Sequence, residues 1–138
     1  MFSRSAGYAL LALSHLAVQP SGRLVGAREI AAATGIPVPF LWKILRNLSR
    51  RKLVRSFKGV HGGYELARSA ERISVLEVLE SGRRPGLFRG CTLGLPGCSD
   101  QCPCPLDAAW KDLRKEVQTY FRKMTVADVA AHAASMSA

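Results

Sequence analysis

Apolar residues along this chain follow a helical period, switch to an alternating one, and then return. From Ser3 to Val18 they cover most sides, which predicts a buried first helix ended by Gln19-Pro20-Ser21-Gly22. A short helix is expected over Ala27 to Thr34, a break at Gly35-Ile36-Pro37, and a longer helix over Val38 to Lys52. Within the longer helix Leu41, Ile44, Leu45 and Leu48 repeat at i, i+3, i+4 and i+7, so one stripe packs inward. The opposite face carries Lys43, Arg46, Asn47 and Arg50. Strand character follows at Leu53 to Phe57 and Tyr64 to Ala67, around a turn at Gly59-Val60-His61-Gly62-Gly63.

Ser74-Val75-Leu76-Glu77 has the capping-box pattern, in which a hydroxyl and a carboxylate satisfy the first free amides of a helix, so a helix should run from Val75 to Glu80 and stop at Gly82. The segment Gly82 to Gly90, rich in Gly and Arg, reads as a linker. Further on, Leu106, Trp110, Leu113, Val117, Tyr120 and Met124 recur at alternating spacings of four and three, a seam that wants a partner helix. It fits inside a monomer, but a long helix behind a linker favours pairing with its own copy, with Trp110, Leu113, Val117, Tyr120 and Met124 at the dimer contact. Thr125-Val126-Ala127-Asp128 is placed to cap a last Ala-rich helix. The expected fold is mostly α with a small β-hairpin. A winged helix-turn-helix DNA-binding domain is expected over residues 1–82, a linker and cysteine loop over 83–105, and a dimerisation helix and tail over 106–138.

Charge sharpens this picture. The 138 residues carry a formal net charge of +10, and from Ile30 to Tyr64 there is no Asp or Glu. Lys43, Arg46, Arg50, Arg51, Lys52, Arg55 and Lys58 all fall in that stretch. An ordinary solvated face intersperses both signs, whereas clustered cations gain free energy by displacing counterions from phosphates. The partner expected is double-stranded DNA with a palindromic operator, which a symmetric dimer matches. Trp42, Lys43 and Arg46 are candidates for base edges, with Pro39 and Asn47 beside them, and Arg50, Arg55 and Lys58 are candidates for phosphates. His61 and Gly62 sit at the wing, where glycines let the backbone approach a sugar-phosphate surface. Trp42 reads equally well as a core residue.

The longest apolar run, Ala6 to Leu13, falls far short of the ~20 residues that span a bilayer. No small-x-small cleavage site follows it, so a cytoplasmic chain without a membrane partner is expected. All four cysteines lie between Cys91 and Cys104, with Cys98 and Cys102 between them. In a reducing compartment such a cluster points to metal binding or redox sensing rather than to disulfides. Zinc competes with iron-sulfur for these thiolates, although only Cys98 to Cys102 has the spacing of a zinc knuckle. A thiol-only redox switch is the third reading. His15, His61 and His132 are scattered and none is assigned to the metal. Neither a nucleotide-binding glycine fingerprint nor a nucleophile-base set is present, so no enzyme is expected.

Four segments resemble the IscR and NsrR type of bacterial winged-helix regulators, the Rrf2 family. They are Ser5-Ala6-Gly7-Tyr8-Ala9-Leu10, Phe40 to Leu45, the wing from Gly59 to Arg68 with its Gly62-Gly63-Tyr64-Glu65-Leu66-Ala67, and the cysteine window running into Cys104-Pro105-Leu106. The resemblance extends from about Ser3 to Val129 and implies a homodimeric transcription factor. It implies an iron-sulfur cluster, of two or four irons, that senses iron, cluster status, oxidants or nitric oxide. The spacing shared with that family selects Cys91, Cys98 and Cys104 as ligands. Many relatives have His three residues after the third cysteine, where this chain has Asp107, and Asp107 and Cys102 compete as the fourth ligand. Pro103 makes it awkward for Cys102 and Cys104 to reach one cluster, which favours Asp107; Asp107 fits equally as a helix cap.

Overall fold

Ser3 starts the first helix by accepting a hydrogen bond from the Ala6 amide on its side-chain oxygen at 3.2 Å. The computed structural model describes residues 3–82 and 105–136. Helix α1 (Arg4–Ala17) buries Ala12 and Leu13 completely. Helix α2 (Ala27–Thr34) ends at Gly35, whose φ of 77° is the left-handed value that turns the chain. Helix α3 (Val38–Arg50) starts behind Pro37 and ends two residues before the Lys52 expected from its period. The reason lies at its C-terminus. Lys52 takes φ 60°, and the Lys52 and Leu53 amides donate back to the Ser49 and Leu48 carbonyls at 3.0 and 2.9 Å. This is a Schellman closure with lysine where glycine usually stands.

Strands β1 (Val54–Phe57) and β2 (Gly63–Leu66) form an antiparallel hairpin in the register Val54 to Leu66 and Phe57 to Gly63. Val25 extends it by exchanging backbone hydrogen bonds with Tyr64 at 3.0 and 2.8 Å. That exchange explains Gly63, because a Cβ there would lie 2.9 Å from the Val25 carbonyl carbon and oxygen. A 3-10 turn (Ala70–Arg72) leads to α4 (Val75–Glu80), whose capping box is formed as the sequence predicts. Ser74 Oγ accepts from the Glu77 amide at 3.1 Å, and Glu77 Oε2 accepts from the Ser74 amide at 2.9 Å.

Helix α5 (Pro105–Lys123) begins at Pro105, a residue whose fixed φ suits the first helical position. Helix α6 (Val126–Met136) follows, with Thr125 and Asp128 capping it reciprocally at 3.0 and 3.2 Å. The expected unit over 106–138 is not uniform, since α6 packs on α1 with Val126 fully buried and Ala130 nearly so. A backbone clasp fixes that return: the Val75 amide donates to Met124 at 2.8 Å and the Val126 amide to Ile73 at 2.9 Å. The main core joins Leu13, Ile30, Leu41, Leu45, Leu48 and Val126. A second, smaller core of Ala6, Val75, Leu76 and Leu79 receives Val117, Phe121 and Met124 from the α5 segment.

Candidate nucleic-acid interface

Because Leu41, Ile44, Leu45 and Leu48 are all buried, α3 is rolled so that its other face meets solvent. Pro39, Trp42, Lys43, Arg46 and Arg50 are exposed there, and Asn47 is half-buried. Trp42 is 53% exposed, which takes it out of the core and puts it beside Lys43 and Arg46. Phe40, also exposed, was not singled out by sequence reasoning. Its signal was available, for it is an apolar residue lying off the inward stripe.

Among the described residues Lys43, Arg46, Arg50, Arg51, Lys52 and Lys58 make no ion pair. Glu29 and Glu65, which bracket the acid-free stretch, are held by Arg23 at 2.6 Å and by Arg55 at 3.7 Å. Arg55 therefore differs from the other expected phosphate ligands, being paired across the hairpin with Glu65.

At the hairpin end the Gly62 amide donates to the Gly59 carbonyl at 3.0 Å, closing a tight turn with Val60 and His61 at its centre. A side chain at Gly62 would collide with the Phe57 carbonyl, so the turn tolerates only glycine there. Val60 is 97% exposed, and Lys58 and His61 are exposed beside it. The wing thus projects one apolar and two polar side chains from a fixed backbone.

Cys91, Cys98, Cys102 and Cys104 lie outside the described residues. Asp107 lies in the first turn of α5. Among the described residues no group of His, Cys, Asp and Glu is placed to hold a metal, and no helix is long and apolar enough to cross a membrane. The predicted seam of α5 divides between two directions. Val117 and Met124 pack on the second core with Phe121, whereas Leu106, Leu113 and Tyr120, spaced by seven, are 53%, 50% and 58% exposed. Trp110, seven residues before Val117, is half-buried. Burial pushes the Glu77 carboxyl up, but the Ser74 amide and the Arg68 guanidinium outweigh it and hold Glu77 below its ordinary value.

With this geometry in hand, three comparisons place the chain. The family described as "Rrf2: Iron-dependent Transcriptional regulator" matches residues 2–132. A protein of Aquifex aeolicus named as a candidate HTH-type transcriptional regulator is 35% identical over 131 residues, covering 94% of this chain and 90% of that one. The solved structure of CymR, the global cysteine regulator of B. subtilis, superposes with a TM-score of 0.79 at 18% identity over 96% of this chain and 97% of CymR. IscR of T. potens gives 0.75 at 24% identity over 96% and 88%. At such identities the two structures speak for the fold, a winged helix.

Proposed function

The chain belongs to the Rrf2 family of HTH-type transcriptional regulators, and on that premise we propose that it grips a palindromic operator as a homodimer under the control of an iron-sulfur cluster. The observation that carries the DNA reading is the row of exposed cations on α3 and the wing that have no ion pair among the described residues. Lys43, Arg46 and Trp42, with Pro39 and Asn47 beside them, are assigned to the major groove. Arg50 and Lys58 take phosphates, and His61 and Gly62 approach the backbone at the wing. Arg55 joins them only by giving up Glu65, so its share is smaller. The DNA-binding domain of this reading is residues 1–82, with the Val126–Met136 helix packed on it.

The cofactor reading rests on donor chemistry. Three soft thiolates, Cys91, Cys98 and Cys104, with Asp107 as fourth ligand and Cys102 as its alternative, suit iron and sulfide better than a hard divalent ion. Bound there, a cluster supplies a centre responsive to electrons, oxidants and nitric oxide. The family description as iron-dependent supports this choice, while zinc and a thiol-only switch are its competitors. The chain's own contribution is positional. Residues 81–104 join the end of α4 to the start of α5, and α5 in turn presents Leu106, Leu113 and Tyr120 for a second copy. The seat of α5 on α4 therefore sets how far apart two recognition helices stand.

Anaerobic purification followed by an absorption spectrum and metal analysis tests the cofactor. Brown protein holding iron and sulfide is the expected result; colourless protein holding zinc, or no metal, sinks the cluster. Operator retention in a gel, measured as iron occupancy is varied in oxygen-free buffer, should change with occupancy. A flat response would leave a DNA-binding regulator without the sensor.

A further inference from the structure

Between the segment running from Arg68 through α4 and the facing side of α5 lies an open cleft of about 650 Å³ that shares no residue with α3 or the hairpin. Arg68, Arg72, Arg114, Lys115 and Arg122 line it, against the carboxylates of Glu77 and Glu80. Glu77 is already committed, with Oε1 3.0 Å from Arg68 and Oε2 2.9 Å from the Ser74 amide. Among the described residues Arg72, Lys115 and Arg122 make no ion pair. The cations come from two separate supports. Arg68 and Arg72 are fixed to the winged unit, while Lys115 and Arg122 stand seven residues apart on α5.

Like charges thus face each other across a concave surface, behind which Val117, Phe121 and Met124 make apolar contacts with α4. We propose that this cleft binds a small ligand bearing at least two phosphate or carboxylate groups, which bridges Arg72 to Lys115 and Arg122 and so clamps α5 against α4. Planar guanidinium groups match the paired oxygens of such ligands, and one bridging polyanion converts the mutual repulsion of the two supports into attraction. Ligand binding stands on the cleft alone; an effect on operator affinity through α5 rests on the regulatory reading above.

Calorimetry on the full chain at about 0.15 M salt, where exposed charges are screened beyond roughly 8 Å, uses pyrophosphate and citrate as probes and so distinguishes the two anion chemistries. At least one probe is expected to bind, and Arg72→Gln/Lys115→Gln/Arg122→Gln should bind it at least about tenfold more weakly with an unchanged Tm. If that variant fails to fold, Lys115→Glu alone serves the same comparison. Failure of both probes to bind, or equal binding by the variant, overturns the proposal. Operator retention without either probe should be the same for variant and parent. A variant that lost operator affinity along with salt dependence would assign the cleft to the DNA backbone and overturn the small-ligand site. Loss of operator binding in Lys43→Ala tests the recognition helix independently of the cleft.

Discussion

Helix α3 buries all four members of its stripe in one core, whereas α5 sends Val117 inward with Phe121 and leaves Leu106, Leu113 and Tyr120 about half exposed. Both helices are amphipathic and both carry cations outside, yet they answer to different demands. A helix that presents side chains to a fixed external lattice such as DNA must itself be held rigidly, and α3 is held from α1, α2 and β1. A helix that meets a copy of itself can leave part of its apolar surface unsatisfied until the copy arrives. In the proposed dimer, two regions of one chain therefore divide stability and association between them.

The sharpest way to break this contrast is to empty the α3 side. Leu45→Ala should lower unfolding free energy by about 2–5 kcal/mol in urea titration, because Leu45 is fully buried in the main core. A loss below about 1 kcal/mol would mean α3 is not anchored as described. Next in size are the outward substitutions. Lys43→Ala should cost about 1–3 kcal/mol on the preferred operator and relax base choice, while Arg50→Ala should weaken all sequences alike and reduce the salt slope by about 1. If both left operator affinity unchanged, the helix assigned to the groove is the wrong one.

The seat of α5 can be probed through its neighbour. Ser74→Ala removes the capping oxygen of α4 and should cost about 1 kcal/mol. Glu77, whose pKa is lowered on folding, contributes its full stability above its ordinary value of 4.5. That contribution is lost as pH falls through the lowered value. Glu77→Gln should flatten the acid limb of a Tm against pH profile; an unchanged limb would show that the Arg68 and Ser74 contacts do not hold in solution. The smallest effect on folding should come from Leu113→Glu, within about 0.5 kcal/mol at high dilution. The same substitution should move the sedimentation coefficient from dimer to monomer, and a persistent dimer would exclude this stripe as the seam.

Much of this division was legible because local rules were obeyed. The spacing of Leu41, Ile44, Leu45 and Leu48 marks one inward stripe, and Ser74 with Glu77 marks a helix start that the structure places at the expected residue. What could not be read depends on neighbours distant in sequence. Lys52 carries no glycine signal, so the end of α3 at Arg50 becomes visible only once Leu53 is seen closing back on Leu48. The spacing of Val117, Tyr120 and Met124 reports apolar positions but not which of two surfaces each one meets. Arg55 reads as a free cation until the hairpin register sets Glu65 opposite it. Within the candidate site the basic face was legible from charge alone; the position of Trp42 was not, because a tryptophan suits either side of a helix.

The backbone clasp between Ile73-Ser74-Val75 and Met124-Thr125-Val126 pins the C-terminal end of α5. Nineteen residues at about 1.5 Å each make an arm of roughly 28 Å from that pivot to Pro105. A tilt of about 5° at the pivot swings the far tip by roughly 2–3 Å over such a length. Any force applied near Pro105 therefore arrives at the pivot with long leverage, and fine adjustments there emerge magnified at the cysteine-bearing end.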